Sequence, residues 1–217
     1  MKKFSTNLFA LFVAGLLLGT GCTRQTETPK NSLPESFIPA GYEVMKQAEG
    51  DLNSDGRADV ALALKHKSEP DEVAEESDAP RRLLVVLFGK TGGGYEQSFS
   101  NANMILGVGS GGVFGDPFQE LRIEDGRLAI IHYGGSSQRW GIENYLRFRG
   151  DNWLVIKQIE TTEDLRDGTS TETIKDYERG ENIKKTTDAA GETTEKKSAL
   201  SVRPWPIFAT STIDWPR

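Results

Sequence analysis

The sequence predicts a mainly β protein: one antiparallel, sandwich-like domain built from hairpins, one of them closed by an acidic loop. Three observations carry this expectation. Asp125-Gly126 and Gly150-Asp151 each separate two runs of alternating apolar and polar residues, the signature of a two-residue hairpin. The stretch "RRLLVVLFGK" is a nearly continuous apolar run of strand length with β-branched Val85 and Val86, as expected of a central strand. "DVALALK", after the acidic turn at Asp51 to Asp59, alternates with the period of a strand and has no helical face.

The chain of 217 residues opens with Lys2 and Lys3, an apolar run from about Leu8 to Leu18, and small residues ending at Cys22. That order is a secretory signal over residues 1–21. The apolar run is shorter than the roughly 20 residues a helix needs to span a bilayer. Thr20, Gly21 and Cys22 resemble the end of a bacterial lipobox, with Gly19 where that motif usually carries Leu. The resemblance implies acylation of Cys22, the chain's one cysteine, and a membrane partner reached through that anchor. Thr23 after the cysteine implies, by the same resemblance, the outer membrane, on its periplasmic or its outer side.

Removing residues 1–21 takes away two lysines and leaves 24 basic against 32 acidic side chains, a net charge of −8. Nucleic acid is not an expected partner of such a chain. Residues 22–39, rich in Thr, Pro, Ser, Glu and Lys, have the composition of a flexible tether. Residues 40–217 then suit one domain of ordinary size.

"EGDLNSDGRADVALAL" follows the tether. Asp51, Asn53, Asp55 and Asp59 stand at D-x-N-x-D-G-x-x-D spacing, and the carbonyl of Arg57 completes an alternate-residue series of oxygens. Calcium takes hard oxygen ligands of this kind, and clustered carboxylates repel one another unless a cation offsets them. Leu62 occupies the position where an EF-hand requires Glu, so the loop is not an EF-hand. "GDLNSDGRADVALAL" resembles the calcium loop and strand of FG-GAP or VCBS-type repeats. Those repeats build β-propellers from several copies, whereas one copy cannot close a propeller. With "GGVFGDPF" and "HYGGSSQRW", the stretch from Gly41 to Ile159 is similar to bacterial lipoproteins and secreted proteins with a single such loop, a resemblance that implies no activity.

Next comes "SEPDEVAEESDAP", acidic and bounded by prolines, expected as a mobile solvated loop or a short helix. In the hairpin at Asp125-Gly126, Glu124 faces Arg127, Ile123 faces Leu128 and Leu121 faces Ile130, which makes one face core. In the hairpin at Gly150-Asp151, Phe148 faces Trp153 and Leu146 faces Val155. Residues 160–200, Thr-rich and highly charged with turns at Arg179-Gly180 and Ala190-Gly191, read as a protruding β-meander or as partly disordered chain.

Several motifs bear on chemistry. "GVGSGG" satisfies G-x-G-x-x-G, but Gly115, Asp116 and Pro117 break any helix that could aim at a pyrophosphate. "LFGKT" lacks the first glycine of a P-loop. Arg149-Gly150-Asp151 coincides with a hairpin turn, where Gly and Asp are expected. "HYGGSSQRW" places His132 near Ser136, a hydrolase pairing, yet Gln138 breaks the nucleophile elbow and His132 lies on the core-facing parity of its strand. The same segment offers a candidate surface for carbohydrate or protein at Tyr133 and Trp140, where aromatic side chains adjoin Gly-rich loops. The expectation is a binding or structural module of the cell envelope, with hydrolysis through His132 and Ser136 as the alternative.

Overall fold

The protein is described here from a computed structural model, which describes residues 35–70, 80–201 and 204–206, with backbone alone at 205–206. All of them belong to one compact unit, Asn31–Arg217. The signal, Cys22 and most of the tether lie outside the described residues. Within the stretch read as tether, Glu35–Phe37 form a 3-10 turn, and Phe37 and Ile38 pack against a buried cluster.

Two antiparallel sheets make the fold. The first contains β1 (Tyr42–Gly50), β2 (Asp59–His66), β3 (Leu83–Gly89) and β4 (Tyr95–Asn101), in chain order across the sheet. The second contains β5 (Phe118–Glu124), β6 (Arg127–Gly135), β7 (Gln138–Arg149), β8 (Asn152–Asp164), β9 (Thr169–Asp176), β10 (Glu181–Thr187) and β11 (Thr193–Ala199), again in chain order. A two-residue strand, β12 (Trp205–Pro206), pairs with Val155 and Leu154 of β8. Neither sheet closes into a barrel or propeller, and no α-helix occurs among the described residues.

Both hairpin registers agree with the residue pattern. Glu124 pairs with Arg127, Ile123 with Leu128 and Leu121 with Ile130. Phe148 pairs with Trp153 and Leu146 with Val155. Asp125 and Asp151 adopt φ of 51° and 65° in the two turns, the left-handed region that Asp tolerates better than most residues. The sheets meet through Ala61, Ala63, Leu84, Val86 and Phe88 on one side and Leu128, Ile130, Leu146, Trp153 and Val155 on the other. The other face of the first sheet is buried too: Val60, Leu62, Leu64, Val85 and Leu87 cluster with Tyr95, and Tyr42 packs against them. Burial on both faces explains the unbroken apolar run at 83–88, since alternate side chains go to opposite sides and neither side meets water. Each such aliphatic side chain contributes about 1.5–3 kcal/mol of burial.

The meander alternative at 160–200 is the one the structure takes. Gly180 and Gly191 turn the chain at φ of 70° and 82°, and β9, β10 and β11 pair in unbroken register. Cross-strand Lys185–Glu172 and Lys175–Glu160 contacts of 2.7 Å and a Thr187–Thr193 hydroxyl bond of 2.9 Å hold a sheet with little apolar content.

The acidic segment after β2 departs from the expected solvated loop at its first residues. Glu69 is buried and accepts two hydrogen bonds from Arg82 Nε, at 2.8 and 3.0 Å. Arg82 Nη1 and Nη2 donate to the two oxygens of Asp116, both at 2.7 Å, and Nη1 also donates to the Leu106 carbonyl. Glu69 accepts the Val108 N–H as well. Burial works against the Arg82 charge, but the bonds to Asp116 and Glu69 outweigh it and hold its pKa above the usual value. One guanidinium thus fastens the glycine-rich segment 106–116 to the first sheet. Residues 71–79 lie outside the described residues.

Breaking this network strands a buried carboxylate. Arg82→Ala is expected to cost about 3–5 kcal/mol, read as a lowered urea midpoint with unchanged slope, whereas Lys90→Ala, at an exposed turn, leaves the midpoint in place. A midpoint for Arg82→Ala within error of wild type would show that the network adds nothing.

Candidate functional site

Two regions stand out once the strands are laid beside one another: the acidic loop between β1 and β2, and the far end of β6–β10.

The acidic loop folds around its own carboxylates. Asp51 accepts N–H groups from Ser54 and Asp55 on Oδ1, at 2.7 and 3.2 Å, and from Gly56 on Oδ2, at 2.9 Å. Asn53 Oδ1 accepts the Asp55 N–H at 3.1 Å. Asp55 accepts the Arg57 N–H at 2.9 Å and the Asn53 amide at 2.9 Å, and it is ion-paired with the Arg57 guanidinium. Asp59 is fully buried, its Oδ2 accepting the Leu52 N–H at 2.7 Å and its Oδ1 the Gly89 N–H at 2.9 Å. Burial raises the Asp59 pKa, the Asp55 charge raises it further, and the N–H bonds from Gly89 and Leu52 oppose both.

These side chains supply the hard oxygens that calcium takes, at alternate positions along one loop. A carboxylate oxygen that holds one N–H keeps capacity for a further partner, so the donor set fits a hard cation. The present rotamers are a different matter. They turn the oxygens onto backbone N–H groups and Arg57, and no group of three or more His, Cys, Asp or Glu among the described residues is gathered as a metal shell. The structure also gives Asp59 and Arg57 duties that spacing does not reveal. Asp59 ties the loop to the end of β3, and Arg57 Nε donates to the Gly89 carbonyl at 2.8 Å.

At the other region β7 and β8 run past the first sheet. Register places Tyr133, Arg139, Thr161, Glu163, Ser170 and Glu172 on the outer face, where they border a groove of about 480 Å³. Trp140, Thr162 and Thr171 point to the opposite face, as do Gln138, Asp164 and Thr169, and there a second groove of about 470 Å³ opens. The two grooves meet around the end of the sheet: Trp140, Arg139, Thr162, Glu163, Ser170 and Thr171 border both.

The glycine loop expected beside Tyr133 is stitched to β6. Gly112 bridges Gly135, the Val113 N–H donates to the Gly135 carbonyl at 3.1 Å, and the Gly135 N–H donates to Gly111 at 3.0 Å. A Cβ on Gly112 would meet the Gly135 carbonyl oxygen at 2.6 Å, so the approach requires glycine. The loop presents Val113, 76% exposed, and Phe114. Phe114 lies 5.2 Å from Tyr133 by ring centroids, and the Arg139 guanidinium sits 5.4 Å from the Phe114 centroid, a cation–π distance.

The hydrolase pairing does not assemble. His132 is buried, its ring 5.6 Å from that of Phe118, and its Nε2 accepts the Leu106 N–H at 3.2 Å. Ser136 lies exposed in the β6–β7 turn. Burial holds the His132 pKa down to about 4, with help from the nearby Arg82 charge and against the pull of Asp116. The residues missed in the sequence are the hydroxyls of β8 and β9, because a Thr-rich strand reads the same whether it lines a groove or faces bulk water. Comparison with family models, with curated proteins and with solved structures gives no match.

The depressed His132 pKa has a signed consequence. Between pH 6.5 and about 4 the unfolded chain takes up a proton at this site that the folded chain refuses, so stability falls as pH drops through that window, by up to about 3 kcal/mol. His132→Gln, which keeps an acceptor for the Leu106 N–H, should flatten the fall of the urea midpoint between pH 7 and 4. Equal slopes for the two proteins would refute the assignment.

Proposed function

We propose that the chain is a lipid-anchored module of the cell envelope that binds its ligand at the far end of β6–β9. The observation that carries this reading is the pair of grooves that share Trp140, each walled by hydroxyl and charged side chains and placed beside a firmly held aromatic loop. Sites for small ligands and chain segments are concave, of roughly 300–1,000 Å³, and combine apolar surface with a few placed polar groups. Anchoring comes from acylated Cys22, and the polar segment after it gives the domain reach from the bilayer. Binding is favoured over hydrolysis because the one histidine near Ser136 is buried and its Nε2 is engaged by a backbone N–H.

Cell fractionation tests both halves of the proposal. The full chain is expected with envelope membranes and Cys22→Ser in the soluble fraction. The released Cys22→Ser chain should then sediment with isolated envelope material, and addition of Tyr133→Ala with Trp140→Ala should abolish that sedimentation. Wild type in the soluble fraction, or equal sedimentation of the triple variant, would end the reading.

Calcium enters as a stabiliser of the loop at Asp51, Asn53, Asp55 and Asp59, with the Arg57 carbonyl. When bound it would supply positive charge among carboxylates that otherwise rely on N–H groups and a surface arginine. A ligand that binds only the folded state stabilises by about 2.7 kcal/mol at a hundredfold excess over Kd. The melting temperature should rise with millimolar calcium and return with chelator. Asp55→Ala should lose the response, and Arg57→Ala, which removes a competing cation, should enlarge it. Identical wild-type melting curves in calcium and chelator would reduce the loop to a turn.

A further inference from the structure

We infer that the groove on the Trp140 side takes an uncharged saccharide, with the Trp140 indole as its platform; this rests on the binding role proposed above. The platform is built from an absence. Gly134 stands directly across from Trp140 in the β6–β7 register, and a Cβ there would come within 2.6 Å of Trp140 Cζ2. Any larger residue would lift the ring off the sheet, so glycine lets the indole lie close to the backbone of the next strand. Beyond it along the same face stand Gln138, Thr162, Thr169, Thr171 and Asp164.

Charge and hydrogen-bond inventory select the ligand. Asp164 accepts from Arg166 Nη2 at 2.8 Å, from Arg166 Nε at 3.2 Å and from Gln138 Nε2 at 3.2 Å, and Arg139 lies 3.7 Å from Glu163. Each charged side chain named here is paired with an opposite charge, so the groove offers no uncompensated charge to an ionic ligand. What remains are hydroxyls, each both donor and acceptor, with an amide and a carboxylate rim around one aromatic plate. A pyranose matches that pattern, because it has an apolar C–H face and hydroxyl groups around its edge. A peptide is less well served. The groove lies on a sheet face, where the strand N–H and C=O groups are spent in the ladders, and strand addition needs a free edge.

The test titrates the full chain, purified without glycoside detergents, against cello-, chito-, malto- and xylo-oligosaccharides by calorimetry. At least one series should bind, with affinity rising with chain length. Trp140→Ala should weaken it at least tenfold and Thr171→Val severalfold, while Lys90→Ala, at an exposed turn outside both grooves, leaves it unchanged. Circular dichroism and melting of each variant confirm that the β fold persists; should Trp140→Ala not fold, Trp140→Phe with Thr171→Val serves in its place. No heat with any series at millimolar concentration overturns the inference, as does binding that Tyr133→Ala abolishes and Trp140→Ala spares. Peptide-array binding lost in Trp140→Ala, without saccharide binding, also overturns it. Envelope sedimentation that depends on Tyr133 and Trp140 would still stand in the absence of saccharide binding, so the two readings fail separately.

Discussion

The second sheet has strands too long for the partner that packs on it, and the rest of the molecule is organised by that mismatch. β7 and β8 run for 12 and 13 residues, against 7 to 9 in the first sheet. At about 3.3 Å per residue the ribbon is some 40 Å long, and most of its buried apolar side chains lie in its lower half. Leu146, Val155 and Trp153 belong to that half and are buried. The boundary is a buried polar chain: Gln158 donates to Asn144 at 2.9 Å and accepts from Tyr177 Oη at 2.6 Å. Above it the inward face carries buried Ile142 opposite Glu160, which is ion-paired with Lys175 at 2.7 Å, and then the threonines around Trp140. One sheet face therefore passes from core to groove within a few residues, and the Gln158 amide, bonded through both its nitrogen and its oxygen, sits at the turnover.

Loops at the sheet ends are held by buried charge as well as by apolar side chains such as Leu52, Met104 and Ile105. Arg82 ties three chain segments with bonds to Glu69, Asp116 and the Leu106 carbonyl, and Asp59 joins Leu52 to Gly89. Both are ionisable groups removed from water, where an unpaired charge would be costly and a fully bonded one is directional. The benefit is position. Because Asp116 is held by Arg82, the segment from Gly111 to Gly115 reaches β6 at a fixed height, and Phe114 stands beside Tyr133. The glycines there thus allow the close approach to β6 that places Phe114 beside Tyr133.

Local alternation was enough to read the hairpins from sequence, because a two-residue turn leaves one register for the strands on either side. Ile123 opposite Leu128 and Phe148 opposite Trp153 follow from Asp125-Gly126 and Gly150-Asp151 alone. The core parity of His132 was legible for the same reason. What alternation could not give was any pairing between distant segments. Glu69 looked like the first residue of a solvated acidic run, and only its place opposite Arg82 makes it a core residue. The surface at Tyr133 and Trp140 was legible as aromatics beside glycines, but adjacent residues on a strand face opposite ways. The sequence suggested one site where the fold makes two grooves. The threonines of β9 carry no local signal of their role, since their neighbours across the ladder are set by turns at Gly168, Gly180 and Gly191.

The acidic loop shows how similar side chains come to differ in what they can give up. Asp51 shapes the turn through three N–H groups, and losing them would undo the backbone path. Asp59 is buried, and its two N–H partners belong to opposite sides of the loop base, so its carboxylate stays in place whatever binds above it. Asp55 is different. Its strongest opposite charge is a surface guanidinium, 42% exposed, which water can solvate once it leaves. Of the three, Asp55 is the carboxylate that can change partner at low cost, and its charge already acts on Asp59. A cation arriving at the loop, as proposed above, would take Asp55 from Arg57 and offset the repulsion between Asp55 and Asp59 while leaving the turn intact. The response would then be confined to the loop and the end of β3 at Gly89, to which Arg57 is also bonded, and the grooves at the far end of the long ribbon would keep their shape.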